Sequence, residues 1–219
     1  MAFTFEPSTH SYALNGIVVP SCTRCLDHAG LVSYDMVRRE ILERKSRIGV
    51  LVHQATHYYD EGQLDWNSVH EKIRGYVEGW ANFREVTGFV PRRIEQSFCA
   101  TINGMPVGLT PDREGLFQKR EAIVDLKTSS TEQDWWAIQL AGYALGVPDF
   151  YGVATSLESS PIALFVRRRR IAVQLFETGK YRKFDYSERE DANVFISALH
   201  LTHWKLKQGN KLRMIEEAA

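Results

Sequence analysis

The sequence is poor in cysteine and has no excess of charge of either sign. Its 219 residues include three cysteines, and 27 basic side chains balance 27 acidic ones, so the formal net charge is zero. Three cysteines are too few, and odd in number, for a disulfide framework. We therefore interpret Cys22, Cys25 and Cys99 as free thiols that are buried or half-buried; the alternative, from the two-residue spacing of Cys22 and Cys25, is a metal or redox pair. A net charge of zero also removes any global electrostatic argument for a nucleic-acid partner.

The sequence also lacks a long apolar run. Residues 135–148 carry no charge over 14 positions but contain Gln139, and a membrane span needs about 20 apolar residues. No basic segment followed by an apolar one occurs at the N-terminus, so we expect a cytoplasmic protein without a membrane partner. The 44% hydrophobic and 25% charged fractions are ordinary for a folded chain. The length fits one domain over residues 1–219.

Charge is nevertheless concentrated in one segment. Between Ala163 and Lys183 there are seven basic residues and one acid, Glu177, which gives 7 − 1 = +6. Four of these basic residues are consecutive: Arg167, Arg168, Arg169 and Arg170. In a strand they would project alternately to both sides, and such a density of charge can follow a phosphate backbone. We predict that these four arginines bind DNA; the alternative is a solvated charged face.

Hydrophobic periodicity and turn residues predict the elements of the chain. The predicted strands are residues 3–5, 12–19, 93–102, 106–112, 122–127, 151–155, 162–166, 171–176 and 181–186. The predicted helices are residues 33–60, 66–86, 135–145 and a last helix from the cap Ser187 to about residue 208. Asn15-Gly16 and Asn103-Gly104 are typical of tight hairpin turns. Ser21 is a predicted helix N-cap.

Glycines are predicted to interrupt these elements at several points. Gly49 is expected to break the first long helix, Gly88 to end the second, and Gly115 to lie in a loop between two strands. The order of helices, strands, one helix, strands and a last helix predicts a mixed α/β domain. We expect a central mixed sheet flanked by helices, with additional hairpins at the N- and C-termini.

A predicted apolar strand ends in two charged residues that share one face, Asp125 and Lys127. Burying two charges is costly unless they are paired or bind a metal. Asp112 lies 13 residues earlier, and it converges with Asp125 if their strands are antiparallel neighbours. Two carboxylates then form an oxygen-rich site that suits Mg²⁺ or Mn²⁺. The alternatives are a buried salt bridge for Asp125 and Lys127 and an ordinary turn aspartate at position 112.

Two predicted helices carry polar residues among apolar ones. Gln139 and Tyr143 are four positions apart, so they share one face of their helix. His53 lies on an early helix and is a candidate metal ligand. The alternatives are the half-exposed edge of a core helix for Gln139 and Tyr143, and a packed or hydrogen-bonded histidine for His53.

Four short motifs follow one another on a helix, a strand, a strand and a helix. They are Gly49-x-x-x-His53, Gly108-x-x-x-Asp112, Asp125-x-Lys127 and Gln139-x-x-x-Tyr143. In this order they resemble the PD-(D/E)xK nuclease superfamily, in particular its RecB-type branch, which includes many phage and mobile-element exonucleases. The resemblance covers residues 20–147 in motif order, and residues 108–143 are the most specific part. It implies a restriction-endonuclease-like core.

The resemblance also implies a metal centre. Asp112 and Asp125 would hold a divalent ion, with the carbonyl oxygen of Leu126 as a further ligand. Lys127 would orient the attacking water or help to deprotonate it. His53 is similar to the extra metal ligand of the RecB-type branch.

Three further residues complete this set. Gln139 and Tyr143 are similar to a pair that braces the site and touches DNA phosphate. Glu95, on a predicted strand, is a candidate additional acid; the alternative is a surface residue. An iron–sulfur cluster occurs in part of the branch and is held by four cysteines, one before the nuclease core and three near the C-terminus. No cysteine follows Cys99, so we expect Mg²⁺ or Mn²⁺ and no such cluster.

The function implied is metal-dependent hydrolysis of DNA phosphodiester bonds, in which carboxylates hold the Lewis acid and a lysine adds positive charge. We expect an exonuclease of recombination, repair or phage DNA processing. DNA is the expected partner, and a recombination or single-strand-annealing protein and a second copy of the chain are further candidates. Two alternatives stay open: a non-catalytic nucleic-acid-binding or assembly module on the same fold, and an unrelated α/β protein.

Overall fold

The structure is a computed structural model, and it describes residues 2–32, 39–148 and 161–217. The elements in these ranges are β1 (Phe3–Glu6), β2 (Ser11–Leu14), β3 (Ile17–Val19), α1 (Cys22–His28), α2 (Arg39–Asp60), α3 (Glu71–Thr87), β4 (Val90–Ile94), β5 (Phe98–Ile102), β6 (Met105–Leu109), β7 (Arg113–Phe117), β8 (Arg120–Lys127), α4 (Trp135–Gly146), α5 (Pro161–Arg167), β9 (Arg169–Leu175), β10 (Tyr181–Tyr186) and α6 (Glu190–Glu217). None of the helices in the described ranges is long and apolar enough to cross a membrane.

A mixed five-stranded sheet organises the fold, in the order β10-β9-β8-β7-β4. Strands β8 and β9 run parallel, and the other neighbouring pairs are antiparallel. Two smaller sheets accompany it, β1-β2-β3 and β5-β6. The predicted mixed α/β architecture is therefore confirmed at this level. The N-terminal hairpin is present as part of a three-stranded sheet, whereas the C-terminal hairpin, β9 and β10, is part of the central sheet itself.

Apolar residues on both faces of β8 place the sheet between two hydrophobic cores. Val124 and Leu126 pack on one side, in the core that α3 supplies with Trp80 and Phe83. Ile123 packs on the other side, in the core that includes α1, α4 and α6. Because side chains alternate along a strand, Asp125 and Lys127 share the face of Ile123, beneath α4.

Several local signals of the sequence are confirmed. Asn15 and Asn103 have φ values of +50° and +49°, and the φ of the glycine after each is also positive. A tight hairpin turn requires this conformation. The Ser21 hydroxyl accepts a hydrogen bond from the Arg24 backbone N–H at 3.1 Å and so caps α1. Gly88 ends α3 in the left-handed conformation, which glycine adopts without a steric penalty.

The predicted strand over residues 93–102 is wrong as a single element. Strands β4 and β5 occupy this stretch, and they belong to different sheets. Between them Glu95 has a φ of +48°, and its N–H donates to the carbonyl oxygen of Asp112 at 3.0 Å. One left-handed residue is enough to turn the chain out of a strand, and alternation of apolar residues does not reveal it.

The next stretch differs as well. The predicted strand over residues 106–112 is shorter in the structure, since β6 ends at Leu109. The loop predicted around Gly115 is instead the strand β7. Strand β7 takes the place beside β8 that the sequence assigned to residues 106–112. A Cβ at Gly115 would lie 2.1 Å from the carbonyl oxygen of Val90, so glycine here marks the close approach of β4 and β7 rather than a loop.

Residues 162–166, predicted as a strand, form the helix α5. Pro161 occupies its first position, which favours a helix start, and Leu164 and Phe165 are buried. The predicted break at Gly49 is absent, since α2 is continuous there. A Cβ at Gly49 would meet the Thr128 Oγ1 atom at 3.5 Å, which is an ordinary contact.

The last helix begins at Glu190 rather than at Ser187, and it continues past residue 208 to Glu217. The predicted strand over residues 151–155 lies outside the described residues. So do residues 33–38, the first part of the predicted helix over residues 33–60.

Candidate active site

The two aspartates of the motif set come together at the end of β8. Arg113 pairs with Val124 in the β7–β8 ladder, so Asp112 lies beside Asp125 at the same edge. The Leu126 backbone N–H donates to Asp112 Oδ2 at 2.6 Å, which ties the first carboxylate to the strand of the second. The Leu126 side chain itself is buried in the opposite core. The predicted role of its carbonyl oxygen stays a prediction.

Lys127 is held from two directions. Its Nζ lies 2.5 Å from Asp125 Oδ2 and donates to Gln139 Oε1 at 2.7 Å. The same ammonium lies 4.7 Å from the ring centroid of Trp135 and 5.6 Å from that of Trp136. Asp125 is buried, and the Lys127 side chain is 11% exposed. The buried salt bridge between Asp125 and Lys127, one of the alternatives from the sequence, is thus present in the structure.

Gln139 and Tyr143 brace this lysine. Gln139 Nε2 donates to the Tyr143 hydroxyl at 3.1 Å and to Thr23 Oγ1 at 3.3 Å, so its amide oxygen is directed at Lys127. Tyr143 is 5% exposed, and burial raises its pKa well above the usual value. The DNA-phosphate contact predicted for Tyr143 is therefore corrected: its hydroxyl faces Gln139 in the interior.

His53 and Glu95 lie on the solvent side of Asp112. His53 Nδ1 is 3.3 Å from Asp112 Oδ1 and 3.7 Å from Glu95 Oε1. His57, one helical turn further along α2, has its Nδ1 3.6 Å from Glu95 Oε2 and its Nε2 3.3 Å from Glu61 Oε1. Glu95, the candidate additional acid, thus lies at the site. His57 was not predicted, although its spacing of four residues from His53 is the signal that indicates it.

Charge is tightly balanced among these groups. Burial raises the pKa of Asp125 to about 6, Asp112 adds to this effect, and Lys127 opposes it. Burial acts against the charge of His53, but the carboxylates of Asp112 and Glu95 outweigh it and raise the pKa of His53 to about 10. Burial acts to raise the pKa of Asp112, and His53 and Lys127 overcome this, so that its pKa lies below the usual value.

A buried ion pair supports the site from behind. Arg113 and Asp60 are both fully buried side chains and form an ion pair. Arg113 Nη1 donates to the carbonyl oxygen of Asp112 at 2.7 Å and lies 3.5 Å from Glu95 Oε1, while its Nη2 donates to Thr56 Oγ1 at 3.1 Å. The arginine therefore fixes the backbone that carries Asp112. This pair was not predicted, since nothing local in the sequence connects positions 60 and 113.

An open pocket of about 690 Å³ leads to these residues. Glu95, Asp112, His53 and His57 line it. The other lining residues include aromatic and polar side chains: Phe5, His10, Gln54, Tyr58 and Thr110. Asp125 and Lys127 lie behind Asp112 and do not line the pocket.

The N-terminal sheet is fastened to the site by one buried tyrosine. The Tyr12 hydroxyl is 2.6 Å from Thr110 Oγ1, two residues before Asp112. The ring of Tyr12 lies on Gly108, where a Cβ would meet the ring at 2.1 Å. The glycine of the Gly108-x-x-x-Asp112 motif therefore makes room for the sheet that supplies Phe5 and His10.

The arginine run does not have the structure that the sequence suggested. Arg168 and Arg170 are 5% and 2% exposed, and both are used internally. Arg168 donates to Glu121 and to the carbonyl oxygens of Ala144 and Val147. Arg168 and Arg170 therefore do not form the solvent-exposed strand face that the prediction assumed, and the DNA contact of these two arginines stays a prediction.

The other two arginines are more accessible but also paired. Arg167 lies 3.3 Å from Glu121 and ends α5, and Arg169 pairs with Asp185. Arg169 lies opposite Ala122 in the parallel ladder, at the beginning of β8, whereas the candidate site is at its end. At about 3.3 Å per residue, the two positions are on the order of 10–15 Å apart along the strand.

The cysteines are free thiols, as predicted, and Cys22 and Cys25 are buried. Cys22 Sγ lies 3.6 Å from the carbonyl oxygen of Gln139, so it packs beneath the site. Burial raises the pKa of both thiols, that of Cys25 to about 11. Thiolates are the metal-binding form of cysteine, so these two residues act as packing groups.

The donor set of the site suits a hard divalent cation. Asp112, Asp125 and Glu95 supply carboxylate oxygens and His53 a ring nitrogen, and Glu95 Oε1 is buried with no hydrogen-bond partner. Among the described residues, however, no three potential ligands are grouped closely enough to form a ready-made metal site. Asp125 and Asp112 instead face Lys127 and His53, whose positive charges take the place of a cation.

Comparison with known proteins adds no identification. No protein-family model matches the chain, and no curated protein matches it significantly. Function is therefore inferred from the site itself: buried carboxylates beside a lysine, next to a pocket with aromatic and polar lining residues.

Proposed function

We propose that this protein is a divalent-metal-dependent DNA nuclease of the PD-(D/E)xK type, with its restriction-endonuclease-like core in the sheet β10-β9-β8-β7-β4. One observation carries the proposal: Asp112 and Asp125 converge at the end of β8 with Lys127 on one side and His53 and Glu95 on the other. Buried charges of this kind are costly to keep and are concentrated at functional sites.

Asp112, Asp125, Glu95 and His53 are the residues that would hold Mg²⁺ or Mn²⁺. Glu95 Oε1 makes no hydrogen bond, and the backbone of Glu95 is left-handed. Both features support this assignment, since strained residues persist where the surrounding structure holds them for function. When bound, the ion supplies Lewis acidity and lowers the pKa of a water molecule.

The protein's own groups supply charge and orientation. Lys127 places an ammonium beside Asp125, where it stabilises negative charge as it develops on the phosphoryl oxygens. Gln139 holds that ammonium through its amide oxygen, and Tyr143 and Thr23 hold Gln139. Arg113 fixes the backbone of Asp112. Positioning of this kind determines the rate when reacting groups must be aligned.

The adjoining pocket supports a nucleic-acid strand as the substrate. Phe5, His10 and Tyr58 offer ring surfaces next to the carboxylates, and stacking of a base on an aromatic ring is worth about 1–3 kcal/mol. A volume of about 690 Å³ lies within the range of sites that enclose a small molecule or part of one. The pocket thus suits the end of a single strand better than a complete duplex.

A second candidate function is a non-catalytic nucleic-acid-binding module on the same fold. One observation favours it: Asp125 and Lys127 are bonded to each other and lie behind the pocket lining. In this case the pair would stabilise the strand end, and no reaction would take place there.

The deciding experiment is a nuclease assay on end-labelled linear duplex, the same duplex circularised, and single-stranded DNA. Each substrate is incubated with Mg²⁺, Mn²⁺ or EDTA. We expect metal-dependent cleavage, and a loss of about 100-fold or more in Lys127→Ala, by analogy with the removal of one charge-stabilising group. Lys72→Ala, which removes an exposed lysine on α3, is the matched control and is expected to leave the rate unchanged.

The outcomes separate the candidates. Loss of linear DNA alone indicates an exonuclease, and cutting of the circle indicates an endonuclease at the same site. Absence of cleavage by the wild-type protein with every metal, together with retained DNA binding, would contradict the proposal in favour of the binding module. Folding of Lys127→Ala is checked by circular dichroism, because its removal leaves Asp125 buried without its partner.

A further inference from the structure

A second pocket, separate from the candidate active site, lies at the other end of β8. Its volume is about 560 Å³, and it is enclosed by the start of β8, the start of β9 and the segment between β10 and α6. Five arginines and one acid line it: Arg120, Arg168, Arg169, Arg170, Arg189 and Asp185. No residue of the candidate active site takes part.

Three of the five arginines form the frame of this pocket. Arg170 Nη1 donates to Asp191 at 2.6 Å, Arg169 pairs with Asp185, and Arg168 is fixed by Glu121 and two carbonyl oxygens. Their guanidinium groups are thereby held in place before any ligand arrives. A preorganised charge loses less entropy when it binds than a mobile one does.

The remaining two arginines supply charge that is not neutralised. Arg120 and Arg189 are exposed, and among the described residues no carboxylate forms an ion pair with either. Arg120 only donates to the carbonyl oxygen of Arg167, at 3.3 Å. Glu188 and Glu190 flank Arg189 in sequence but do not line the pocket.

The paired acids do not offset this excess, because one carboxylate is shared. Asp185 serves both Arg169 and Lys183, whose Nζ is 3.5 Å away. One carboxylate thus balances two cations there. The pocket and its rim therefore carry a concentrated positive charge in a chain whose net charge is zero.

We propose that this pocket is a binding site for phosphate groups, and specifically for a ligand with two or more of them in series. Guanidinium groups match the geometry of phosphate oxygens and bind them through two hydrogen bonds. Several arginines in one concave pocket favour a multiply charged ligand over a single ion. The size is that of a small-molecule site. The phosphates can belong to a nucleotide or to a nucleic-acid end.

The proposal is tested by isothermal titration calorimetry with sodium tripolyphosphate. EDTA is present throughout, so that no divalent ion bridges the ligand to the carboxylates of the other site. We expect wild-type protein to bind, and the double variant Arg120→Gln/Arg189→Gln to bind at least tenfold more weakly. The exposed pair Arg47→Gln/Arg92→Gln removes the same charge elsewhere and is expected to bind like the wild type.

Further ligands identify the chemistry and the source. Citrate tests whether any polyanion suffices; equal affinity for citrate and tripolyphosphate would overturn the phosphate assignment. Competition by ATP assigns the site to nucleotides, and competition by a 5′-phosphorylated oligonucleotide assigns it to a nucleic-acid end; either result supports the proposal.

Two controls keep the result interpretable. The double variant Arg120→Lys/Arg189→Lys keeps the charge but loses the planar fork, so its affinity is expected to lie between those of the wild type and the glutamine variant. No heat from the wild-type protein, or equal affinity in the glutamine variant, would contradict the proposal. Because the readout is binding in EDTA, it is independent of nuclease activity.

Discussion

Glu114 is a carboxylate that the fold buries with incomplete compensation. It lies on β7, 1% exposed, and one of its oxygens is 2.5 Å from Arg93 Nη2. Its other oxygen, Oε1, has no hydrogen-bond partner among the described residues. Burial raises the pKa of Glu114 to about 7, against the opposing effect of Arg93 and Arg168.

This shift predicts a loss of stability as the pH rises. The folded protein keeps the Glu114 proton up to about pH 7, whereas the unfolded chain releases it near pH 4.5. Over that interval the free energy of unfolding therefore falls, and the loss is on the order of 3 kcal/mol at pH 8. Glutamine imitates the protonated form, so we expect Glu114→Gln to equal the wild type near pH 5 and to exceed it by about 2–3 kcal/mol at pH 8.

Urea unfolding at pH 5, 6, 7 and 8 measures this difference. Glu85→Gln, an exposed position on α3, is the control and is expected to show no difference that depends on pH. If Glu114→Gln instead becomes less stable than the wild type as the pH rises, the charged pair with Arg93 is stabilising and our interpretation of the burial is incorrect.

The sequence indicates some of these side chains and not others for a physical reason. Asp125 and Lys127 were found because two charges interrupt an apolar strand, and a local pattern can show that. Arg113 and Asp60 are a buried pair from distant parts of the chain, and each alone resembles an ordinary surface residue. The burial of Arg168 and Arg170 could not be predicted for the same reason. Their ion-pair partners, Glu121 and Asp191, lie in other parts of the sequence.

Two glycines of the motif set, Gly108 and Gly49, differ in whether the packing of their elements leaves room for a side chain. A Cβ at Gly108 would overlap the Tyr12 ring at 2.1 Å, so Gly108→Ala must displace β2 from β6. We expect a loss of about 1–3 kcal/mol, as overpacked sites show. A Cβ at Gly49 would make an ordinary contact of 3.5 Å with Thr128, and alanine favours a helix over glycine by about 1 kcal/mol.

The two substitutions form a matched pair for chemical denaturation. Gly108→Ala should be destabilised, and Gly49→Ala should be as stable as the wild type or more so. Destabilisation of both to the same degree would show that helix α2 also needs glycine for a close approach. An assay of the proposed nuclease activity then reports whether displacement of the sheet that carries Phe5 and His10 disturbs the candidate pocket.

Strand pairing explains why the elements were predicted unevenly. Helices α3 and α4 and strands β8 to β10 follow apolar periodicity, and the sequence located them to within a few residues, except for the start of α3 at Glu71 rather than at residue 66. Strand β7 was missed because Gly115, a turn signal by itself, lies where β4 passes too close for a side chain. The convergence of Asp112 with Asp125 was predicted from pairing of the strand over residues 106–112 with β8. In the structure β7 is the strand that pairs with β8, and Asp112 directly precedes it.

Electrostatic balance in the whole molecule is local rather than global. A net charge of zero conceals two opposite regions: a carboxylate cluster at the end of β8, and an arginine pocket at its beginning. Composition averages over both, so charge arguments from the sequence could exclude neither a cation nor an anion as ligand. Sheet topology separates the two regions, because β8 runs from one to the other.

Divalent-cation binding is expected to stabilise the complete fold, because only the folded chain brings Asp112, Asp125 and Glu95 together as ligands. A ligand present at 100 times its dissociation constant stabilises by about 2.7 kcal/mol. For a chain of this length, that shift corresponds to a rise in melting temperature of about 5–10 °C. We expect 10 mM Mg²⁺ or Mn²⁺ to raise the melting temperature relative to NaCl of equal ionic strength, and Asp112→Asn to abolish the rise. Asp27→Asn, an exposed substitution on α1, should retain it. An unchanged melting temperature in the wild-type protein would remove the metal from the proposed mechanism and leave the salt bridge between Asp125 and Lys127 as a purely structural feature.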